Sequence, residues 1–239
     1  RLANRSDASP MLLLALPEAD ADLQKSAAAT FAASQWGPVL VQPPLAGPPM
    51  PLAGRRLRVG YMSSDFRAHA VSFLVLEAIA AHDRGACEVV LYASGATADD
   101  EWCQQARAAS DRFVQLDADD QRAAQQIAGD RLDVLVDLNG YTAHARMGVL
   151  ARRPAPVLAS WLGYIGTLGD HRLVDYIIGD AIATPGTMAD KFSESLALLP
   201  HCFQANPRVP DLPIHSRDEA GLPHDALAAI YHDGDVLAR

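Results

Sequence analysis

Apolar and polar side chains alternate through RLRVGYM, where Leu57, Val59 and Tyr61 are separated by Arg58 and Gly60, and this predicts a strand over 56–62. The short polar run Ser63-Ser64-Asp65 turns the chain. Apolar spacing of helical period then resumes through Val71, Leu74, Val75, Ala78 and Ile79 and predicts a helix over 71–82. The same rhythm repeats. Further strands are predicted at 87–93, 112–116, 132–138, 156–162, 174–179 and 195–199, with helices at 101–110, 119–129, 144–151 and 187–192. Strands separated by helical patterns of about 10–15 residues imply an α/β domain, a parallel sheet covered on both faces with right-handed crossovers.

Ahead of this domain the pattern differs. Residues 1–36 are Ala-rich and helical, and Leu23, Ala27, Phe31 and Trp36 give the second of two helices one apolar side. A helix of this kind cannot bury that side alone. It is expected to dock on the domain or to cap a helical array upstream. Residues 37–55 carry Pro38, Pro43-Pro44, Pro48-Pro49 and Pro51, and read as a semi-rigid linker.

Composition narrows the function classes. The chain has 239 residues, 49% hydrophobic, with a net charge of −9 and no segment that concentrates Lys and Arg, so it is not expected to bind nucleic acid. Cys87, Cys103 and Cys202 form no C-x-x-C pair, which fits a reducing cytoplasmic setting without a disulfide framework or zinc site. No apolar run approaches the roughly 20 residues of a membrane span. The start RLANRSDASP has neither a signal-peptide pattern nor a Met, and the chain is expected to begin inside a longer one.

Candidate chemistry lies in the loops after the strands. The first loop has no G-x-G-x-x-G, and neither G-x-x-x-x-G-K-[ST] nor G-x-S-x-G occurs, which sets aside dinucleotide, P-loop and hydrolase-elbow readings. Asp20/Asp22 and Asp117/Asp119 form D-x-D strings, but each precedes a helix and is expected to cap it rather than hold a metal. Three polar loops are left on one sheet edge: Ser63–His69, Asp137–Thr142 with Asn139-Gly140, and Trp161–Gly169 with glycines at 163, 166 and 169. Glycines let the backbone approach a ligand, and Trp161 and Tyr164 could stack on a sugar or peptide. Convergence of three such loops describes a cleft. His69 follows the first strand into it and could donate to a phosphate or take a proton from a hydroxyl; the remaining histidines, His201 among them, are assigned no role.

The ordered segments GYMSSDFRAHAVSFL, DVLVDLNGYTAHARMGVLARRPAPV, SWLGYIGTLG, VDYIIGDAIATP and KFSESLALLPHCFQ resemble the O-linked N-acetylglucosamine transferase and SPINDLY-type enzymes of glycosyltransferase family 41, from about Asp7 to about Asp225. The resemblance implies a GT-B fold of two Rossmann-like lobes, of which 56–225 looks like the N-terminal catalytic lobe. It also implies tetratricopeptide repeats ahead of residues 1–36. Residues 226–239 would be a truncated or frame-shifted start of the second lobe.

By resemblance, His69 is the active-site histidine and Asp65 belongs to its motif, while Asn139, Gly140, Tyr141, Thr142, Tyr164, Gly166 and Thr167 line the acceptor side. Asp130 matches an acidic position in some members. The implied reaction is inverting transfer of N-acetylglucosamine from UDP-GlcNAc to Ser or Thr of a protein acceptor, with no metal or other cofactor; GDP-fucose is the donor in the SPINDLY alternative. Two departures stand out: Ile165 replaces a usual proline, and Arg67-Ala68 replaces a smaller pair. The second lobe, with its uridine pocket and diphosphate-binding lysine, is not matched, and the chain alone is expected to be inactive. A non-catalytic peptide-binding module that keeps the cleft is the alternative.

Overall fold

The computed structural model describes residues 9–17, 19–96, 100–206 and 216. The segment 226–239 and His215, His224 and His232 lie outside them. A 3₁₀ turn at Pro10–Ala15 leads into α1 (Ala21–Leu40). There follow β1 (Leu57–Ser63), α2 (Ala70–Ala80), β2 (Cys87–Ala93), α3 (Glu101–Ala108), β3 (Arg112–Gln115), α4 (Asp120–Gly129), β4 (Val134–Asp137), α5 (Met147–Leu150), β5 (Val157–Trp161), β6 (Tyr176–Asp180) and β7 (Ser195–Leu199). Among the described residues the strands form one seven-stranded sheet, ordered β3-β2-β1-β4-β5-β6-β7 and parallel throughout. This is the α/β parallel sheet that the alternating pattern predicts, in the Rossmann-like form that the resemblance implies.

The strand order explains the pattern of burial. Strands in a parallel sheet are covered on both faces, and their sequences run nearly continuously apolar. One face packs Met62, Leu135, Leu158 and Ile177 beneath α1, α4 and α5; the other packs Tyr61, Leu91, Val136 and Ala159 beneath α2 and α3. Leu91, Leu135 and Leu158 are wholly buried, and each contributes about 2 kcal/mol by leaving water.

The sheet is pinned at its entry edge by one device used three times. Asp111, Asp133 and Asp175, each just before a strand or one residue into its approach, accept the amide N–H of Val89, Arg58 and Leu158 on the neighbouring strand, each at 2.8 Å. Each aspartate also holds an arginine: Arg84, Arg55 and Arg153. This is why β4 starts at Val134 rather than at 132: Asp133 turns aside to bind Arg55 and the Arg58 amide. Asp130 lies on this edge too, where it accepts from Tyr92 Oη at 2.7 Å and pairs with Arg112. It ends α4 and does not reach the cleft edge.

The N-terminal helix docks on the domain. Ala28 and Ala32 are fully buried against the sheet, whereas Leu23 is exposed. The linker expected from 37 begins later, because α1 runs through Pro38 to Leu40. Proline forfeits one backbone bond there, and burial of Leu40 offsets the loss. Beyond it the chain is strapped to the turn after α5, with Leu45 and Ala46 amides donating to Arg152 and Arg153 carbonyls at 3.0 Å. Asp20 and Asp119 cap α1 and α4 through the Leu23 and Arg122 amides, as their position before helices predicts. Helix 144–151 is shorter than expected. It spans 147–150, because His144 has φ +63° and Arg146 is drawn to Asp120 at 2.6 Å. No helix of the described residues is long and apolar enough to cross a membrane.

Candidate functional site

The chain winds outward from β1 in both directions, so the exit edges of β1 and β4 flank the point where strand order reverses. Ligands of open α/β sheets bind in the crevice outside such a point. The loops after β1 and β4 meet there through one side chain.

Asn139 is 2% exposed and spans the crevice. Its Oδ1 accepts the Ser64 amide at 2.9 Å. Its Nδ2 donates to Ser64 Oγ and Asp65 Oδ2, each at 2.9 Å, and to Thr142 Oγ1 at 3.1 Å. Asp65 also accepts from Ser64 Oγ at 2.8 Å and from Arg67 at 2.9 Å, and its carbonyl accepts from Ser72 Oγ at 2.7 Å. Burial alone would raise its carboxyl, but the Ser64 and Asn139 donors, the nearby His69 and Arg67 together hold it below the usual carboxylate range.

His69 is exposed at the start of α2 and caps that helix: its Nδ1 accepts the Val71 amide at 3.2 Å. The cap uses the Nδ1 lone pair, so a neutral ring carries its proton on Nε2, the nitrogen free to meet a ligand. The loop is held from the far side by Asp100, which accepts the Ala68 amide at 2.8 Å and caps α3. Backbone donors from Cys103 and Ala68 keep Asp100 below its ordinary range.

The other predicted residues divide into cleft and scaffold. Thr142 and Gly166 are half-exposed, while Thr167 is buried with its hydroxyl on Glu194 at 2.8 Å. Gly140 has φ +58°, and a Cβ there would stand 2.6 Å from Tyr164 Cβ, so only glycine fits the turn. Tyr141 and Tyr164 are 5% and 3% exposed and lie within the wall rather than on it. Tyr141 donates to the Leu168 carbonyl at 2.6 Å and packs edge-on against Tyr164 and against Phe31 of α1. Stacking of Tyr164 on a ligand, expected from the sequence, is thereby replaced by support of the Gly140 turn. Trp161 sends its Nε1–H to the Phe203 carbonyl at 2.8 Å.

Sequence reasoning missed two buried acids. Glu194 sits under the third loop, where it accepts from Thr167 Oγ1 and from the Leu168 amide at 2.9 Å; burial raises its carboxyl. Nothing local marks it, since a Glu before an edge strand reads as surface. Asp137, the last residue of β4, accepts the Gly140 amide at 2.6 Å. Its place on the exit edge was visible, but its full burial was not.

A UDP-N-acetylglucosamine--peptide N-acetylglucosaminyltransferase of Caenorhabditis elegans is 41% identical over 152 residues, 63% of this chain and 13% of that protein. The probable enzyme of this name called SEC in Arabidopsis thaliana is 37% identical over 178 residues, 73% of this chain and 18% of that protein. This chain thus spans less than a fifth of the length of either relative. An O-GlcNAc transferase mutant from Thermobaculum terrenum superposes with a TM-score of 0.78 at 32% identity, covering 89% of this chain and 41% of that one. The sequence pattern of Glycosyl transferase family 41 matches residues 38–227, which include all three loops of the cleft, and the chain belongs to that family.

Proposed function

We propose that this chain is the acceptor-side lobe of a protein O-glycosyltransferase that moves N-acetylglucosamine from UDP-N-acetylglucosamine to serine or threonine hydroxyls. The observation that carries the reading is the clamp at the strand-order reversal: Asn139 binds the β1 loop to the β4 loop, with His69 exposed beside it. The names of the relatives, peptide N-acetylglucosaminyltransferases, support the donor and acceptor classes.

In an inverting transfer the acceptor oxygen attacks the anomeric carbon as the bond to the diphosphate breaks. His69 contributes a donor. With Nδ1 engaged by the Val71 amide, Nε2–H can hold the acceptor oxygen or a phosphate oxygen, and the hydroxyl proton passes to another base. Thr142 and Gly166 supply half-exposed acceptor-side surface, and Asp65 fixes the loop that carries His69. The reading requires no metal, because helix N-termini and cationic side chains can balance a diphosphate. The chain covers 41% of its structural neighbour, and the donor side is assigned to residues outside it. Sugar transfer by the 239-residue chain alone would overturn that assignment.

The test is His69→Ala in a protein that joins this lobe to a donor lobe. We expect kcat to fall by about 10²-fold or more, the usual cost of removing one donor that holds developing charge in the transition state, with acceptor KM changed only a few-fold. An unchanged kcat would remove His69 from the chemistry.

A further inference from the structure

A cavity of about 790 Å³ opens on the exit edge beside the clamp. It lies between the loops after β1 (Ser64, Arg67), after β2 (Ser94, Gly95) and after β4 (His144, Arg146). Its walls are closely built. Ser94 donates its amide to the Ser63 carbonyl at 2.9 Å, and a Cβ on Gly95 would stand 2.7 Å from the Ser64 carbonyl oxygen, so the β2 loop lies directly on the β1 loop. Arg146 is fixed from behind by Asp120 and by the carbonyls of Asp117 and Ala118. His144 is exposed and held at φ +63°.

The charges of this cavity run against those of the chain. The chain has 29 acidic and 20 basic residues, yet among the described residues the lining has two arginines and a histidine and no aspartate or glutamate. Two acids adjoin the β1 loop, and both are engaged elsewhere. Asp65 lies beneath Arg67: the carboxylate side chain of the pair is 6% exposed and the guanidinium side chain 39%, so the cation is the end that meets solvent. Asp65 is also held by Ser64 and Asn139, and Asp100 by the amides of Ala68 and Cys103. Of the five N–H groups of the Arg67 guanidinium, the pair with Asp65 engages one. The planar fork that is left matches a carboxylate. The volume is that of a ligand pocket, and its charges select an anion over a cation.

We propose that this cavity is a subsite for a carboxylate side chain of the acceptor polypeptide, received by Arg67 with His144 and Arg146 around it, and that it favours serines and threonines with an acid a few residues away. The inference rests on the acceptor-side reading of the cleft and adds a substrate class to it. The spacing follows from chain geometry. Arg67 and His69 are two residues apart, so their Cα atoms are separated by at most about 7 Å. The long side chain of Arg67 extends that reach. An extended acceptor advances about 3.3 Å per residue. With its hydroxyl at His69, the residues about two to four positions away come over the cavity.

The test titrates the 239-residue chain with fluorescein-labelled serine peptides and reads anisotropy. One peptide has glutamine three residues to either side of the serine, and its partners carry glutamate at one or both of those places. The better glutamate peptide should bind about 10-fold more tightly than the glutamine peptide at low salt, the yield of one charge-assisted contact. That advantage should shrink as ionic strength rises. The ratio of the two affinities should fall to near one in Arg67→Gln, fall by about half or more in the exposed His144→Ala, and persist in part in Arg67→Lys. A ratio is unmoved by a general loss of folded protein. Equal affinities for the glutamate and glutamine peptides would overturn the subsite and leave the acceptor reading standing. If neither peptide binds, while inorganic phosphate shifts the NMR signals of the Gly95 amide and the Arg67 Nε–H, the cavity takes a free or nucleotide-borne anion, and both the subsite and the acceptor reading fall. If phosphate leaves those signals in place as well, there is no anion site.

Discussion

Replacing Asn139 by Asp changes one group, NH2 to oxygen, at the centre of the clamp. In the native protein that NH2 points at Asp65 Oδ2 from 2.9 Å. Ser64 and Thr142 can turn their hydroxyls to donate to a new carboxylate, but Asp65 cannot. Two unit charges at this separation repel by about 6 kcal/mol at an effective dielectric of about 20. Capturing a proton from neutral solution costs less, about 4 kcal/mol for a carboxyl of ordinary affinity. The pair should therefore share one proton at pH 7, and Asn139→Asp should destabilise the fold there by about 3–4 kcal/mol. The bound proton is absent from the unfolded chain, so acid favours the folded form. The deficit should shrink by about 1.4 kcal/mol per pH unit as pH falls from 7 toward 4. Urea unfolding of both chains at pH 5, 6 and 7 measures this. A deficit under about 0.5 kcal/mol at pH 7, or one independent of pH, would refute the clamp.

Two further substitutions probe the wall behind it. Gly140→Ala places a Cβ 2.6 Å from Tyr164 Cβ at φ +58°, and should cost about 3 kcal/mol in thermal or urea unfolding; a loss under about 1 kcal/mol would show that the turn can move freely. Phe31→Ala removes the ring that touches both Trp36 and Tyr141, with centroids at 5.6 and 5.3 Å. It should cost about 2–3 kcal/mol and shift Trp36 fluorescence toward that of a solvated indole, whereas unchanged stability and emission would mean that α1 is not seated on this loop.

The strands were readable because each is a short apolar run between polar turns, and that signal is local. The edge on which Asp65, His69 and Asn139 sit follows from the βα rhythm alone. What the sequence did not disclose depends on partners far along the chain. An exposed aromatic in a Gly-rich loop and a buried one look alike in sequence. Tyr141 is covered by Phe31 and Trp36 of α1, more than 100 residues away, and Tyr164 packs edge-on against Tyr141. Glu194 and Asp137 likewise acquire their burial from elements that local pattern cannot see. Helix α1 outran its expected end because tertiary burial of Leu40 outweighed the Gly37-Pro38 stop signal.

The bond between the Ser64 amide and Asn139 joins positions 75 residues apart. β2 and β3 leave the centre of the sheet and must be accommodated before β4 can return to lie beside β1. Loop closure of this size is entropically expensive and slow. An intermediate containing β1 to β3 would possess His69 but no crevice, so binding competence should appear in refolding only with the step that seats β4, behind the bulk of helix formation. The cleft is thus a kinetic report on completion of the sheet, since the crevice does not exist until β4 lies beside β1.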